Sequence, residues 1–354
     1  MKKVFILLLF VSALVACSKL EVTPMEQNSK AAITYQTAPI TKARGQFAQS
    51  YIFESAAYYL SPTFSKNSWL NDGEKSTLYI SPATVSYTNG KWQMAKPYYW
   101  PKDGGTLTFF SWSLNSTTLT FNEGSKASVT IEPEVGVHLK DFDITVDGDI
   151  DFIVADIAYD KTQNQHEYYN DGVPTLFRHK LSQVKFTAET DADYSASQTF
   201  YIRSITITNV AKTGEYKQGT VDTQTTPCWK TVDQWIVGND TYSVDYLKYN
   251  GTEDSYATDG LEVTNKVQNI ESTQYYYIPE TFDDSNEIVV CYQIKDKSSG
   301  IVENVTLIKS LKNIIGNSFK VGTIYTINLR FHLDEITWDP AIENWDISTN
   351  EIDI

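Results

Sequence analysis

A chain of 354 residues with 41% hydrophobic and 13% aromatic side chains has the apolar material for a sizeable core, which excludes a disordered or low-complexity polymer. Its formal net charge of −15 repels polyphosphate and excludes a nucleic-acid partner. Three Cys and four His are too few for a disulfide scaffold or a zinc framework.

Lys2 and Lys3 precede a stretch from Val4 to Ala16 that is apolar apart from Ser12. Its length suits the h-region of a signal peptide over residues 1–16, and falls short of a bilayer-spanning helix. The stretch ends in Leu14-Val15-Ala16-Cys17, which resembles a bacterial lipobox, so Cys17 is the candidate lipid-attachment residue. Acyl chains there would anchor the mature chain to a membrane, with residues 17–30 as a lipidated, polar tether. The alternative is a plain secretory peptide with an incidental cysteine.

From residue 31 the pattern is period two. Ala31, Ile33 and Tyr35 share one face and Ala32, Thr34 and Gln36 the other, as in a first strand. Pro39 follows, then Lys42-Ala43-Arg44-Gly45, a small-residue basic segment open to proteolysis. On the residues alone, a permanent strand and an ordinary loop arginine explain this with less. Asn89-Gly90 predicts a type I′ hairpin between runs 85–88 and 91–94. Asp141, Asp143, Asp147, Asp149 and Asp151 include the alternation of a calcium loop. The glycine spacing and distal Glu of such a loop are missing, so an Asp147-Gly148 turn between strands is preferred and no metal is expected. The polar stretch 161–171, closed by Gly172 and Pro174, places a boundary near 174. It divides an N-terminal β-sandwich (31–174) from a C-terminal one (175–354).

Beyond it, residues 176–186 read as an extended run in which His179, between Arg178 and Lys180, is a surface histidine. Ile202, Ile205 and Ile207 sit in a β-branched stretch, and Tyr325, Ile327, Leu329, Phe331 and Leu333 alternate as one apolar face. Cys228 and Cys291 could bridge in an oxidising compartment; the apolar run around Cys291 equally suits a free buried thiol. Many short strands between turn residues predict an all-β fold of two tandem sandwiches. His138, His166, His179 and His332 are scattered, and no nucleophile elbow, zinc motif, Walker loop or dinucleotide fingerprint is present. The expectation is a non-enzymatic protein without cofactors. Tyr98-Tyr99-Trp100 and Tyr275-Tyr276-Tyr277 offer an alternative reading as a surface glycan-binding lipoprotein, although alternate aromatics also suit a sandwich core.

Several runs together resemble the fimbrillin family of Bacteroidales cell-surface pilins, the lipoproteins that build or cap type V pili. They are NGKWQMAKPYYWPKDGGTLTFFSWS (89–113), DFIVADIAYDKT (151–162), VPTLFRHKLSQVKFTAET (173–190), SITITNVAKTGEYKQG (204–219), YYYIPETF (275–282) and FKVGTIYTINLRFHLDEITWDPAIENW (319–345). Glu280 departs from the pattern, which has Gln after Pro279. The resemblance implies transthyretin-like sandwiches and a lipoprotein displayed on the outer membrane as part of a fimbrium that serves cell adhesion. It further implies cleavage by a surface Arg- or Lys-specific protease, with Arg44 as the site. Removal of the strand holding Ala31, Ile33 and Tyr35 would then let a strand of another fimbrial subunit insert. A host or bacterial surface ligand is the implied adhesion target. The polar tail after Trp345, with Ile347, Ile352 and Ile354, suits a donor strand poorly and points to an accessory or tip subunit.

Overall fold

The computed structural model describes residues 32–37, 47–63, 76–132, 135–163, 172–219, 221–224, 229–249, 260–272, 276–333 and 335–344. Twenty-five strands and two short helices lie among them, so the all-β expectation holds. The hairpin at Asn89-Gly90 joins Ser76–Thr88 to Lys91–Met94, with positive φ at both turn residues (52° and 78°), as a type I′ turn requires.

A nine-stranded sheet dominates the N-terminal half. Its order is Val173–Thr175, Tyr35–Thr37, Lys91–Met94, Ser76–Thr88, Ile52–Leu60, Thr106–Ser113, Ile153–Ala155 and Phe177–His179, with Ala158–Lys161 paired to Thr106–Ser113 off that path. The first strand is three places from Ile52–Leu60 in this order, about 14 Å along a flat sheet. Yet the rings of Tyr35 and Phe53 are 5.4 Å apart, and those of Tyr35 and Phe109, one strand further on, are 5.9 Å apart. The sheet therefore curls over and packs against itself. Phe177, at the far end of the order, closes the same core by stacking on Phe47 at 4.9 Å.

Thr106–Ser113 is buried along its whole length because it has a core on each side. Leu107 and Phe109 face the curled core, while Phe110 and Trp112 face a second one. Over that second face lies a four-stranded sheet of Gln234–Val237, Thr213–Lys217, Gly136–Asp143 and Ser128–Glu132. Tyr58 donates to the Ile131 carbonyl at 3.1 Å, and Phe152 meets Tyr216 edge-on at 5.6 Å, which ties the layers together.

Two five-stranded sheets make the C-terminal sandwich. One runs Gln268–Ile270, Ser182–Thr190, Thr323–Phe331, Ile336–Asn344, with Tyr276–Tyr277 beside Ser182–Thr190. The other runs Thr241–Lys248, Gln198–Ala211, Glu287–Asp296, Val302–Ser310, with Leu261–Val263 beside Gln198–Ala211. Ring pairs Phe186–Tyr246 (4.7 Å) and Tyr292–Phe331 (5.1 Å) join the two inner faces. Tyr325, Ile327, Leu329 and Phe331 are buried on the expected face, but Leu333 lies past the strand end and is exposed. Ile202 and Ile205 are both buried although three residues apart, because a register shift between Ile202 and Ser204 reverses the phase of the strand.

Asp147-Gly148 opens a turn between Gly136–Asp143 and Ile153–Ala155, the Ile150 N–H donating to the Asp147 carbonyl at 3.0 Å, and a one-turn helix, Ile144–Asp147, precedes it with Asp143 as N-cap accepting from the Thr145 N–H at 2.8 Å. One local expectation fails. The extended run 176–186 is split, its first part pairing with Ile153–Ala155 and its second with Thr323–Phe331, so the chain changes sheets at Lys180 and Leu181. Position 174 itself falls inside Val173–Thr175, and Gly136–Asp143 pairs across it with Thr213–Lys217.

Candidate functional site

The first strand keeps its predicted alternation: Ala32 is exposed, while Ile33 and Tyr35 retain only 4% and 3% of their surface. Backbone contacts hold it on both sides. The Ile33 N–H donates to the Tyr98 carbonyl at 2.8 Å, and the Val173 N–H donates to the Thr34 carbonyl at 2.8 Å. Tyr35, Gln36 and Thr37 pair in parallel with Val173, Pro174 and Thr175, while on the other side Tyr35 pairs with Trp92 and Ala32 bridges to Tyr99. Pro174 has no N–H to give this ladder. The approach is close: a Cβ placed on Gly172 would lie 2.7 Å from the Tyr35 carbonyl carbon. Only a glycine lets the two backbones come this near.

The Tyr35 ring meets Phe53 and Phe109 edge-on. Its hydroxyl is buried, with the Ser55 hydroxyl as its polar neighbour. Burial pushes the phenol well up from its ordinary range, opposed in small part by the neighbouring Ser55 hydroxyl. Burying Ile33 and Tyr35 contributes about 1.5–3 kcal/mol each, in addition to the backbone pairing on both edges. Ala31 and Arg44 lie outside the described residues, as do Cys17 and the tail from 345 on.

His179 is buried, contrary to the surface reading. It is the middle of three consecutive basic residues that each meet an aspartate. Arg178 forks onto Asp156 with two 2.8 Å bonds, His179 Nδ1 lies 2.9 Å from Asp151, and Lys180 Nζ lies 3.0 Å from Asp233. The Lys180 N–H donates to the Phe152 carbonyl, and Trp235 Nε1 donates to the Lys180 carbonyl. Charges in a water-poor layer persist only when paired, so this run pins the point where the chain changes sheets. Period-two reading could not find it, because the aspartates come from segments 22, 28 and 53 residues away.

The acidic stretch is taken up by neutral partners, by His179 and, at Asp143, by Lys212 at 3.8 Å. Asp147 accepts from the Asn122 N–H and the Ser125 hydroxyl, Asp149 accepts from Asn122 Nδ2, and Asp151 accepts from Asn115 Nδ2. Among the described residues no group of His, Cys, Asp or Glu is arranged to hold a metal ion. Trp100 leans onto Phe109 at 5.9 Å and Tyr277 is buried against Phe319, so these aromatics line cores. Tyr99 is exposed at the margin, bridged to Ala32. Cys291 is half-buried, its sulfur 3.6 Å from the Thr306 hydroxyl, and Cys228 lies outside the described residues. Glu280 accepts from the Ala211 N–H at 2.8 Å, and burial pushes its carboxyl up to about 7.

The sequence profile of fimbrillin-like proteins matches residues 67–345, the greater part of the chain. The chain belongs to the fimbrillin-like family. No curated protein matches its sequence. A fimbrial protein from Bacteroides vulgatus shares the fold of this fimbrillin-like chain, with a TM-score of 0.64 at 16% identity over 89% of this chain and 99% of that one. The tip fimbrial protein Mfa3 from Porphyromonas gingivalis, truncated at its C terminus, aligns over 83% of this chain and 95% of its own. At 10% identity and a TM-score of 0.33, that likeness carries no argument. Membership places the chain in a family of fimbrial and adhesion structural proteins.

Proposed function

We propose that this chain is a non-enzymatic accessory or tip subunit of a fimbrium, exported as an outer-membrane lipoprotein on Cys17, whose first strand is exchangeable. Cleavage after Arg44 by a surface Arg- or Lys-specific protease frees residues 31–44. A strand of another subunit then occupies the place of Ile33 and Tyr35, and the assembled fimbrium carries an adhesive contact to a host or bacterial surface.

One observation supports this reading above the rest. The segment 32–37, ending in the strand Tyr35–Thr37, buries Ile33 and Tyr35 in the curled core while its backbone pairs with Val173–Thr175 on one side and with Trp92 and Tyr99 on the other. Its loss would uncover the Phe53 and Phe109 rings and free the edges of Lys91–Met94 and Val173–Thr175. Such a margin, with unpaired N–H and C=O groups beside an apolar slot, is a template for strand addition. The full fimbrillin-like chain, delipidated and titrated with a Lys/Arg-specific protease, is expected to start at Gly45 and to form laddered multimers. Arg44→Ala should block both changes. N-terminal sequencing and native electrophoresis read the result; a chain that is cut at Arg44 and stays monomeric with any subunit from the same fimbrium rejects the reading.

A further inference from the structure

A pair of tyrosines stands at the wet margin of the nine-stranded sheet. Tyr59, near the end of Ile52–Leu60, and Tyr79, near the start of Ser76–Thr88, bring their rings to 6.2 Å at an angle of 31°. The strand pairing skips Tyr79: Ala57 pairs with Ile80 and Tyr58 with Leu78, so Tyr79 is the extra residue of a bulge, which re-aims its side chain. Both phenols are pinned from the segment between Lys91–Met94 and Thr106–Ser113. Tyr59 donates to the Asp103 carboxylate, and Tyr79 donates to the Tyr99 carbonyl at 2.6 Å. Asp103 is set in turn by the Gly105 N–H at 3.0 Å. The Tyr59 ring lies on Gly105 so closely that a Cβ there would come within 2.2 Å of it. Tyr79 and Tyr99 belong to neither core and each keeps 37% of its surface, and Asp103 is exposed. Aromatic surface held in one orientation outside the cores is a preformed contact.

We propose that Tyr59, Tyr79 and Asp103 form a binding site for an uncharged glycan, with sugar C–H groups laid on the two rings and sugar hydroxyls donating to Asp103. The phenol protons are spent on Asp103 and Tyr99. What the site still offers is acceptors: two phenol oxygens and the unused lone pairs of a carboxylate that has about four. A partner rich in hydroxyl donors, with an apolar face to its ring, matches that set. Asp103, in a chain of net charge −15, repels sialic, uronic and phosphate groups. A lysine or arginine of a protein partner would use the carboxylate and one ring and leave the second ring idle. The glycan gives the adhesive contact of the reading above its partner class and rests on that reading for its role. The site itself stands in the uncut chain and needs no strand removal.

The test applies the full, delipidated and uncut chain to immobilised neutral oligosaccharides of glucose, galactose, mannose, fucose and N-acetylglucosamine. Sialylated and sulfated oligosaccharides and a lysine-rich peptide are run beside them, and calorimetry measures the best-retained neutral one. Retention on at least one neutral oligosaccharide, and weaker retention on the charged probes, is expected. Tyr79→Ala and Asp103→Asn are each expected to weaken binding about tenfold at unchanged Tm, and Tyr79→Phe, which keeps the ring, by no more than about threefold. Retention on no neutral oligosaccharide, tighter binding of the acidic forms or of the peptide, or parental binding by Tyr79→Ala overturns the site. Laddering after cleavage at Arg44 is read on the same preparations. A chain that ladders but binds no glycan overturns the site alone, and one that binds glycan but stays monomeric when cut overturns strand exchange alone.

Discussion

Glu280 stands where the family pattern has glutamine, and its surroundings give that difference a measurable consequence. Burial raises its carboxyl to about 7 from an ordinary 4.5, against the lowering effect of the Ala211 N–H. Above pH 4.5 the unfolded chain releases this proton while the folded chain keeps it, so stability falls as pH rises toward 7 and then levels off. The whole effect is on the order of 3 kcal/mol. Glu280→Gln keeps an oxygen for the Ala211 N–H and cannot ionise. Its thermal unfolding is expected to match the parent at pH 4 and to exceed it by a few degrees at pH 8. Parallel curves across that range would remove the carboxyl from the account. Gly172 works through space alone. Alanine there would press a methyl group on the backbone of Tyr35. The expected result is a loss of about 1–3 kcal/mol and faster proteolysis of the first strand, read by thermal unfolding and limited digestion.

At the scale of elements, local pattern and observed strand agree wherever one face is wet. Tyr35–Thr37, the Asn89-Gly90 hairpin and Thr323–Phe331 were all legible because alternation or a positive-φ dipeptide marks them. Agreement fails where a segment has a core on both sides or changes sheets. Thr106–Ser113 shows no alternation because Leu107 and Trp112 face different cores. The run 176–186 looks continuous but is divided at Arg178-His179-Lys180, whose aspartate partners lie far along the chain. The first strand is held by two buried side chains and by backbone pairing on both edges.

For the whole molecule, the two halves are joined by more than their linker. Gly136–Asp143 pairs with Thr213–Lys217, and a single apolar cluster extends from Phe110 to Ile336. Pieces ending at 174 and starting at 175 are therefore expected to aggregate when made apart. Made together they should copurify as one complex with a single unfolding transition, read by calorimetry. Two separately soluble, separately melting pieces would show that the shared sheet contributes little. This coupling also gives the first strand a rigid frame: the walls of its slot, Phe53, Phe109 and Val173, belong to a sheet braced from behind by the second core.

The sequence by itself determined the all-β class, the turn at Asn89-Gly90, the faces of the exposed strands and the family, because alternation, turn chemistry and ordered motifs are properties of neighbouring residues. Tertiary structure alone decided that the large sheet curls on itself, that His179 is buried with Asp151, and that Gly172 and Pro174 wall the slot of Tyr35. Each of those depends on which distant strands share an edge or a core, and a period-two pattern carries no information about that choice.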